Sequence, residues 1–215
     1  VSIYLIGYGR MGKKIHELSE KLDVEICGTN SGESNFQDDP ALSNADVIIE
    51  FTQPQSALQN ILSALDLGIP IVSGTTGWLE SWDEVINACK ESSGRFFYAS
   101  NFSFGANVMF YMNQKLAEIM STADRYDVHM KEIHHTKKLD KPSGTAATLA
   151  NDIIDKFDGL SKFKVDEANE GELKIICDCE GEVKGFHEVI YTSPIDELRI
   201  SHNALSRDCF AWGAI

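Results

Sequence analysis

Short apolar runs alternate with segments of helical spacing along the first hundred residues. This pattern predicts strands at 2–6, 24–29, 45–51, 71–73 and 95–99, with helices at 13–22, 56–66 and 79–91. The polar stretch 30–44 is predicted to be a loop or a degraded crossover. Strands that alternate with helices at short spacing indicate a parallel sheet covered by helices on both faces, hence an α/β domain.

The pattern changes after residue 100. Helices are predicted at 106–120 and 145–157 and strands at 127–135, 172–179, 185–192 and 197–202, with the start of a helix in the last residues. Three strand-like runs follow one another without helices between them. Such a run favours a second domain of α+β type, with a mixed or antiparallel sheet.

The charge of the chain narrows the classes of partner. It has 33 acidic and 19 basic residues among 215, a formal net charge of −14. A nucleic-acid partner is therefore not expected, because phosphate backbones require clustered Lys and Arg. A small anion is not excluded, since one local basic pocket suffices for it. No apolar run approaches the length of about 20 residues that spans a membrane, and the N-terminal residues do not resemble a signal peptide.

Five scattered cysteines, an odd number, suggest reduced thiols in the cytoplasm. Cys177 and Cys179 stand on the same face of a predicted strand. We interpret them as two buried thiols, because zinc-binding cysteines are normally separated by at least two residues. The sequence predicts no metal site.

A glycine motif links the first strand to the first helix. Gly7, Gly9 and Gly12 have the GxGxxG spacing within a βαβ unit, the context of a dinucleotide-binding loop. The first glycine permits the turn, the second admits a pyrophosphate and the third lets the helix pack. We therefore expect a nicotinamide cofactor here, rather than a glycine-rich turn without a ligand.

The tip of the second strand bears on the choice between NADH and NADPH. The expected acid that holds the ribose hydroxyl of NAD is replaced by Asn30 and Ser31, and Arg10 could face a 2′-phosphate. Both cofactors stay open, with a slight lean towards tolerance of NADPH. Other strand ends are small or polar and suit a nicotinamide ribose and ring: Thr52, then Gly74, Thr75 and Thr76, then Ala99, Ser100, Asn101 and the apolar Phe102.

Residues 132–146, EIHHTKKLDKPSGTA, concentrate cations and proton-transfer groups in an acidic chain. On a strand, His134 and His135 would point to opposite faces. Ser143 is a predicted helix N-cap, and the N–H groups that follow it, with Lys137 or Lys138, could hold a carboxylate. By itself the segment favours a capped helix behind a solvated basic loop; the cofactor domain upstream reverses this preference and favours the site.

The chain resembles the dihydrodipicolinate reductase family nearly end to end. The resemblance rests on GYGRMG, IEFTQP, GTTGW, ASNFSFGANV, EIHHTKKLDKPSGTA, GFHEV and ISHNALSRDCFAWGA. It implies hydride transfer from NADH or NADPH to a cyclic unsaturated imine dicarboxylate in lysine and diaminopimelate biosynthesis. It also implies a dinucleotide-binding domain at 1–104 and 204–215, and a substrate-binding and tetramerisation domain at 105–203, in a homotetramer.

The resemblance also assigns residues. It implies that His134 is the proton donor or acceptor and that Lys138 is a second proton donor. It implies that the substrate carboxylates are held by His135, Ser143, Gly144 and Thr145. Cofactor contacts are expected from Gly7, Tyr8, Gly9, Arg10, Met11, Gly12, Asn30, Thr52, Gly74, Thr75, Thr76, Ala99, Ser100, Asn101 and Phe102.

The sequence departs from the family pattern at several positions. Cys179 stands where an arginine is usual, Lys141 replaces a usual alanine, and the last residue, Ile215, precedes the family's C-terminal helix. Two alternatives stay open: another Rossmann dehydrogenase acting on an amino-acid-derived substrate, and a low-activity paralogue that binds cofactor and ligand, which Cys179 and the short C-terminus suggest.

Overall fold

The structure is a computed structural model that describes residues 1–136 and 141–215. It contains two compact units. The first unit comprises Val1–Phe102 and Asp208–Ile215, and the second comprises Ser103–Arg207.

The first unit is a parallel sheet with helices. Its elements in chain order are β1 (Ser2–Ile6), α1 (Arg10–Ser19), β2 (Glu25–Asn30), β3 (Val47–Glu50), α2 (Pro54–Asp66), β4 (Ile71–Ser73), α3 (Trp82–Glu91) and β5 (Phe96–Tyr98). The strand order is β2-β1-β3-β4-β5, and every pairing is parallel. Apolar clusters line both faces of β1, with Tyr4 and Ile6 in one and Ile3 and Leu5 in the other. The predicted doubly covered α/β sheet is confirmed.

The second unit is built on a mixed sheet. It contains α4 (Phe104–Met120), β6 (Asp127–His134), α5 (Gly144–Ile154), β7 (Lys162–Val165), β8 (Glu172–Cys179), β9 (Phe186–Thr192) and β10 (Glu197–Asn203). The order is β10-β9-β6-β8-β7, with parallel pairs on the β7 side and antiparallel pairs on the β10 side of β6. The predicted α+β architecture with a mixed sheet is confirmed. The chain then returns to the first unit as α6 (Asp208–Ala214).

Two local details were not predicted. The stretch 30–44 contains two 3₁₀ turns, Phe36–Asp38 and Pro40–Asn44, because Asn35 and Asp39 cap them and Phe36 is buried against the first unit's core. Strand β7 was missed, since its four residues KFKV are too short to give a clear alternation.

The two neighbouring thiols also differ from the prediction. Cys177 is buried, whereas Cys179 is exposed, because β8 ends at Cys179. The two side chains share a face of the strand, but only the inner one lies within the core of the second unit.

Candidate functional sites

The glycine loop of the first unit is packed so tightly that two of its glycines admit no side chain. Gly7 has φ +96°, and a Cβ there would lie 2.0 Å from the carbonyl oxygen of Phe51. A Cβ on Gly12 would lie 2.1 Å from the Gly7 carbonyl oxygen. Gly9, the N-cap of α1, has open space around it and no side-chain cap. The loop thus presents bare backbone at a helix N-terminus, which fits the pyrophosphate of a dinucleotide.

A cleft of about 590 Å³ opens beside this loop. Five predicted cofactor residues line it: Gly7, Tyr8, Gly9, Asn30 and Thr52. Among the other lining residues are the polar side chains of Ser31, Ser34, Asn35, Gln37, Gln53, Ser56, Gln59, Asn60 and Ser63. None of the described residues that line the cleft is charged, so its wall neither repels nor neutralises an extra phosphate.

Asn30 shapes the rim of the cleft. Its side-chain oxygen accepts a hydrogen bond from the Gly32 N–H (2.8 Å), and its amide nitrogen donates to the Ser34 carbonyl (3.0 Å). The side chain is thus engaged by the loop that follows β2. An acid could not donate the second of these bonds, so Asn30 suits a loop that turns back on itself.

Glu50 connects the ends of two neighbouring strands. It is the last residue of β3 and is fully buried. Its Oε1 accepts from the Thr52 N–H (2.9 Å), from the Thr52 hydroxyl and from the Thr75 hydroxyl (2.7 Å). Its Oε2 accepts from the Ser73 hydroxyl (2.6 Å). Two predicted cofactor residues, Thr52 and Thr75, are therefore held together by a carboxylate to which the sequence alone assigned no role.

The remaining predicted cofactor residues do not line this cleft. Arg10 and Met11 lie in the first turn of α1, with Arg10 exposed. Thr76 is exposed, and the backbone of Gly74 packs on the Phe51 ring, where a Cβ would lie 2.1 Å from a ring carbon. Ala99, Ser100 and Asn101 are half-buried after β5, and Phe102 belongs to a core cluster with residues of α6.

A row of polar side chains crosses four strands of the second unit. Glu132 on β6 is paired in register with Cys177 on β8 and with His187 on β9, and His187 is paired with His202 on β10. His134 is two residues beyond Glu132 and therefore on the same face of β6. We call these five residues the polar row. Sequence analysis missed this arrangement because strand register is not visible in a single chain.

Glu132 is the centre of the polar row. Its Oε2 lies 3.1 Å from His134 Nε2 and accepts from the Ser143 hydroxyl (2.6 Å), while its Oε1 accepts from the Cys177 thiol (3.1 Å). Burial raises the pKa of Glu132, but hydrogen bonds from His134, His187, Ser143 and Cys177 outweigh it and hold the pKa far below its ordinary value. The buried carboxylate is thus ionised.

The ionised carboxylate fixes hydrogen positions around it. An ionised carboxylate only accepts, so His134 donates through Nε2. The single Ser143 hydroxyl hydrogen is used toward Glu132, so Ser143 Oγ accepts from His187 Nε2 at 3.1 Å. Burial, followed by the bond to Glu132, raises the pKa of Cys177 to about 12, so this thiol stays protonated.

The N-terminus of α5 meets the polar row through Ser143. This serine caps the helix as predicted, accepting from the Ala146 N–H (3.1 Å). Gly144, the first helical residue, is exposed and has open space around it, whereas Thr145 is buried. His135 is half-buried. Lys138 and Lys137, also predicted at the site, lie outside the described residues.

Two further contacts lie at the two ends of the polar row. The Lys141 ammonium donates to the Cys177 carbonyl (3.0 Å), which gives this unusual lysine a structural partner on β8. At the other end of the row, His202 Nε2 lies 3.3 Å from the hydroxyl of Ser103, the N-cap of α4. Burial, with a smaller contribution from His187, lowers the pKa of His202.

Glu132, His134 and His187 also offer ligand atoms within 4.8 Å of one another, a spacing that a metal ion could use. The hydrogen bonds described above account for the same distances.

Over the described residues, no helix has both the length and the apolar character to cross a membrane.

Comparison with known proteins gives the same family for both halves of the chain. A family model described as dihydrodipicolinate reductase, N-terminus, matches residues 1–102, and one described as dihydrodipicolinate reductase, C-terminus, matches residues 105–215. The chain is 43% identical to the 4-hydroxy-tetrahydrodipicolinate reductase of Christiangramia forsetii, over 100% of the chain and 90% of the relative. It is 32% identical to that of Akkermansia muciniphila, over 100% and 89%.

A solved structure shares the fold. Dipicolinate-bound dihydrodipicolinate reductase from Paenisporosarcina sp. TG-14 has a TM-score of 0.76 at 19% identity, covering 99% of this chain and 91% of that one.

Proposed function

The chain belongs to the dihydrodipicolinate reductase family and is an NAD(P)H-dependent oxidoreductase of lysine and diaminopimelate biosynthesis, and we propose that His134 donates the proton in its reaction. That reaction is the reduction of 4-hydroxy-tetrahydrodipicolinate to tetrahydrodipicolinate. The observation that carries the assignment is the Glu132 carboxylate, which binds both His134 and the cap of α5.

Each group has a defined task. When bound, the reduced nicotinamide supplies a hydride to the substrate ring. The former imine system then carries negative charge, which a proton from His134 neutralises. General acid catalysis of this kind contributes about 10²–10⁴-fold in rate. Lys138 is proposed as a second proton donor that also pairs with substrate.

The substrate carboxylates are proposed to bind at the start of α5. The first N–H groups of a helix lack intrahelical acceptors, and the helix dipole favours an anion there. Gly144 is exposed at this position, with no side chain to obstruct a ligand. Thr145 and His135 are proposed to contribute contacts. The Ser143 hydroxyl serves indirectly, because its hydrogen is already donated to Glu132.

Both NADH and NADPH are proposed as cofactors. The cleft beside the glycine loop is lined by neutral side chains among the described residues, so a 2′-phosphate meets no carboxylate there. We expect comparable kcat/KM for the two cofactors, since among the described residues that line the cleft there is neither an acid nor a cation to select one of them.

The oligomeric state and the cellular location are also proposals. We propose a homotetramer. Apolar side chains on α4 remain exposed in the single chain, and a protein interface would cover them: Phe104, Val108, Tyr111, Met112 and Ile119. Light scattering after gel filtration tests this state. We further propose a cytoplasmic location, where the five free cysteines would remain reduced.

The function is tested by following cofactor oxidation at 340 nm with the enzymatically generated substrate, using NADH and NADPH in parallel. We expect turnover with both cofactors in the wild-type protein. His134→Gln should lower kcat by about 10²-fold or more while the affinity for NADH is kept. Near-normal turnover of that variant would show that the proton comes from another group. Cofactor binding without any turnover in the wild-type protein would instead identify a ligand-binding paralogue.

A further inference from the structure

Glu132 contacts both parts of the proposed substrate site, the proton donor His134 and the N-terminus of α5, where the substrate carboxylates would bind. The same oxygen, Oε2, is 3.1 Å from His134 Nε2 and 2.6 Å from the Ser143 hydroxyl. His134 is the proposed acid, and Ser143 caps α5, whose N-terminus is the proposed binding site for the substrate carboxylates. Both groups therefore take their position from one atom.

The carboxylate is itself held rigidly. It is 1% exposed and lies on the central strand of the sheet. The Ser143 N–H donates to it (3.1 Å to Oε1), as does the Cys177 thiol on the neighbouring strand. His187 supports the arrangement from the other neighbouring strand, with Nε2 3.6 Å from Oε2 and 3.1 Å from Ser143 Oγ.

We propose that Glu132 is a positioning residue, which holds the proton donor His134 in a single tautomer and in a fixed position relative to the carboxylate-binding site at the start of α5. Because Nε2–H of His134 is donated to Glu132, the proton that goes to the substrate is the one carried by Nδ1 of the protonated ring, and its transfer leaves the neutral Nε2–H tautomer. This inference rests on the proposed function of His134. His187 and Cys177 act through Glu132, by keeping its two oxygens in place.

A glutamine at position 132 keeps the size of the side chain but removes the charge. Its amide nitrogen would face donors from Ser143, Cys177 or His134, so at least one of these bonds is lost. The His134 ring then loses its fixed acceptor. A misplacement of about 1 Å of a catalytic group can cost about 10²-fold in rate. We expect Glu132→Gln to lower kcat about 10- to 100-fold, and to raise KM for the substrate but not for the cofactor.

The tautomer of His134 is the readout that a merely structural role would not change. Long-range ¹H–¹⁵N spectra of the full-length protein, recorded well above the ordinary histidine pKa of about 6.5, distinguish the two ring nitrogens. The His134 signals are assigned by their loss in His134→Gln. We expect a single Nε2–H tautomer in the wild-type protein and a mixture in Glu132→Gln. Glu132→Asp, which keeps the charge, should restore part of kcat relative to the glutamine variant.

Glu172→Gln is the matched control, since Glu172 lies at the far end of β8 in the same sheet and pairs with an exposed lysine. It should leave kcat and the His134 signals unchanged. If Glu132→Gln keeps wild-type kcat, or if its His134 tautomer is unchanged while kcat falls, the proposal is overturned. Failure of the proposed function would differ, because the wild-type protein itself would then show no turnover.

Metal analysis of the purified protein tests the alternative that Glu132 is a metal ligand. Glu132, His134 and His187 have the spacing of a metal site. We expect no stoichiometric metal, and no change in kcat after treatment with a chelator. A stoichiometric metal that is lost in Glu132→Gln would make the carboxylate a ligand and would overturn the positioning role.

Discussion

Gly12 packs directly against Gly7, so that a Cβ on Gly12 would lie 2.1 Å from the Gly7 carbonyl oxygen. Gly12→Ala must therefore move the loop or the helix. We expect a loss of about 1–3 kcal/mol in the free energy of unfolding, as for other overpacked sites, together with weaker NADH binding. Urea unfolding and a fluorescence titration with NADH measure the two effects.

Gly9→Ala is the matched comparison for this prediction. A Cβ at Gly9 meets nothing within 4 Å in the protein. This variant should unfold like the wild-type protein, within about 1 kcal/mol. Its only expected defect is weaker NADH binding, because the added methyl group would lie where the pyrophosphate approaches the loop. Equal stability of Gly12→Ala and the wild-type protein would contradict the packing described here.

Glu50 should be needed for both stability and cofactor binding. Every group that contacts its carboxylate is a donor: the Thr52 N–H and the hydroxyls of Thr52, Ser73 and Thr75. In Glu50→Gln the amide nitrogen would face at least one of these donors. We expect a loss of about 1–3 kcal/mol in the free energy of unfolding, and a higher KM for both cofactors because Thr52 and Thr75 separate.

Ser73→Ala serves as the control for Glu50, because it removes the donor to Oε2 and leaves both threonine hydroxyls on Oε1. It should lower stability without a comparable change in the KM for cofactor. The interpretation of Glu50 would be wrong if Glu50→Gln changed neither quantity, as measured by urea unfolding and steady-state kinetics.

The sequence predicted the elements of the fold better than the way in which side chains meet. β1, β4 and β8 are found within the predicted bounds, because their apolar runs are short and clearly ended by glycine or polar residues. The glycine loop was predicted from spacing and context. The edge strand β7 was missed since four residues carry too little pattern.

The polar row shows where prediction from one sequence stops. Glu132 and His187 are 55 positions apart in the chain and become neighbours only through the pairing of β6 with β9. Such register depends on which strands pair, which local periodicity does not determine. Glu50 was invisible for the same reason, because its partners Ser73 and Thr75 belong to the next strand and loop.

Cys177 and Cys179 should differ sharply in reactivity. Cys177 is buried, and its pKa is raised to about 12, first by burial and then by Glu132, whereas Cys179 is exposed. Because the thiolate is the reactive form, iodoacetamide at mildly alkaline pH should label Cys179 in the folded protein and leave Cys177 unlabelled. Peptide mass spectrometry measures both sites. Full labelling of both in denaturant is the control, and rapid labelling of Cys177 in the folded protein would contradict its burial.

Glu132 should also give the stability of the protein a dependence on acid pH. Its folded pKa lies below the value in the unfolded chain, which is about 4.3 for a glutamate. A lowered pKa means that the unfolded state takes up the proton first, so the contribution is complete above the unfolded pKa. It is lost as the pH falls from that value towards the folded pKa. The free energy of unfolding should therefore decrease below about pH 4.3 in the wild-type protein.

Comparison with Glu132→Gln isolates this contribution from that of the other acidic residues. Urea unfolding of both proteins at several pH values between neutrality and the acid limit of folding gives the difference in the free energy of unfolding. We expect this difference to be constant at neutral pH and to shrink below the ordinary glutamate pKa, because only in the wild-type protein does the unfolded state bind a proton at position 132 that the folded state does not bind. A difference that stays constant down to the acid limit would show that Glu132 binds its proton equally in the folded and unfolded states, and its hydrogen bonds would then not favour the ionised form.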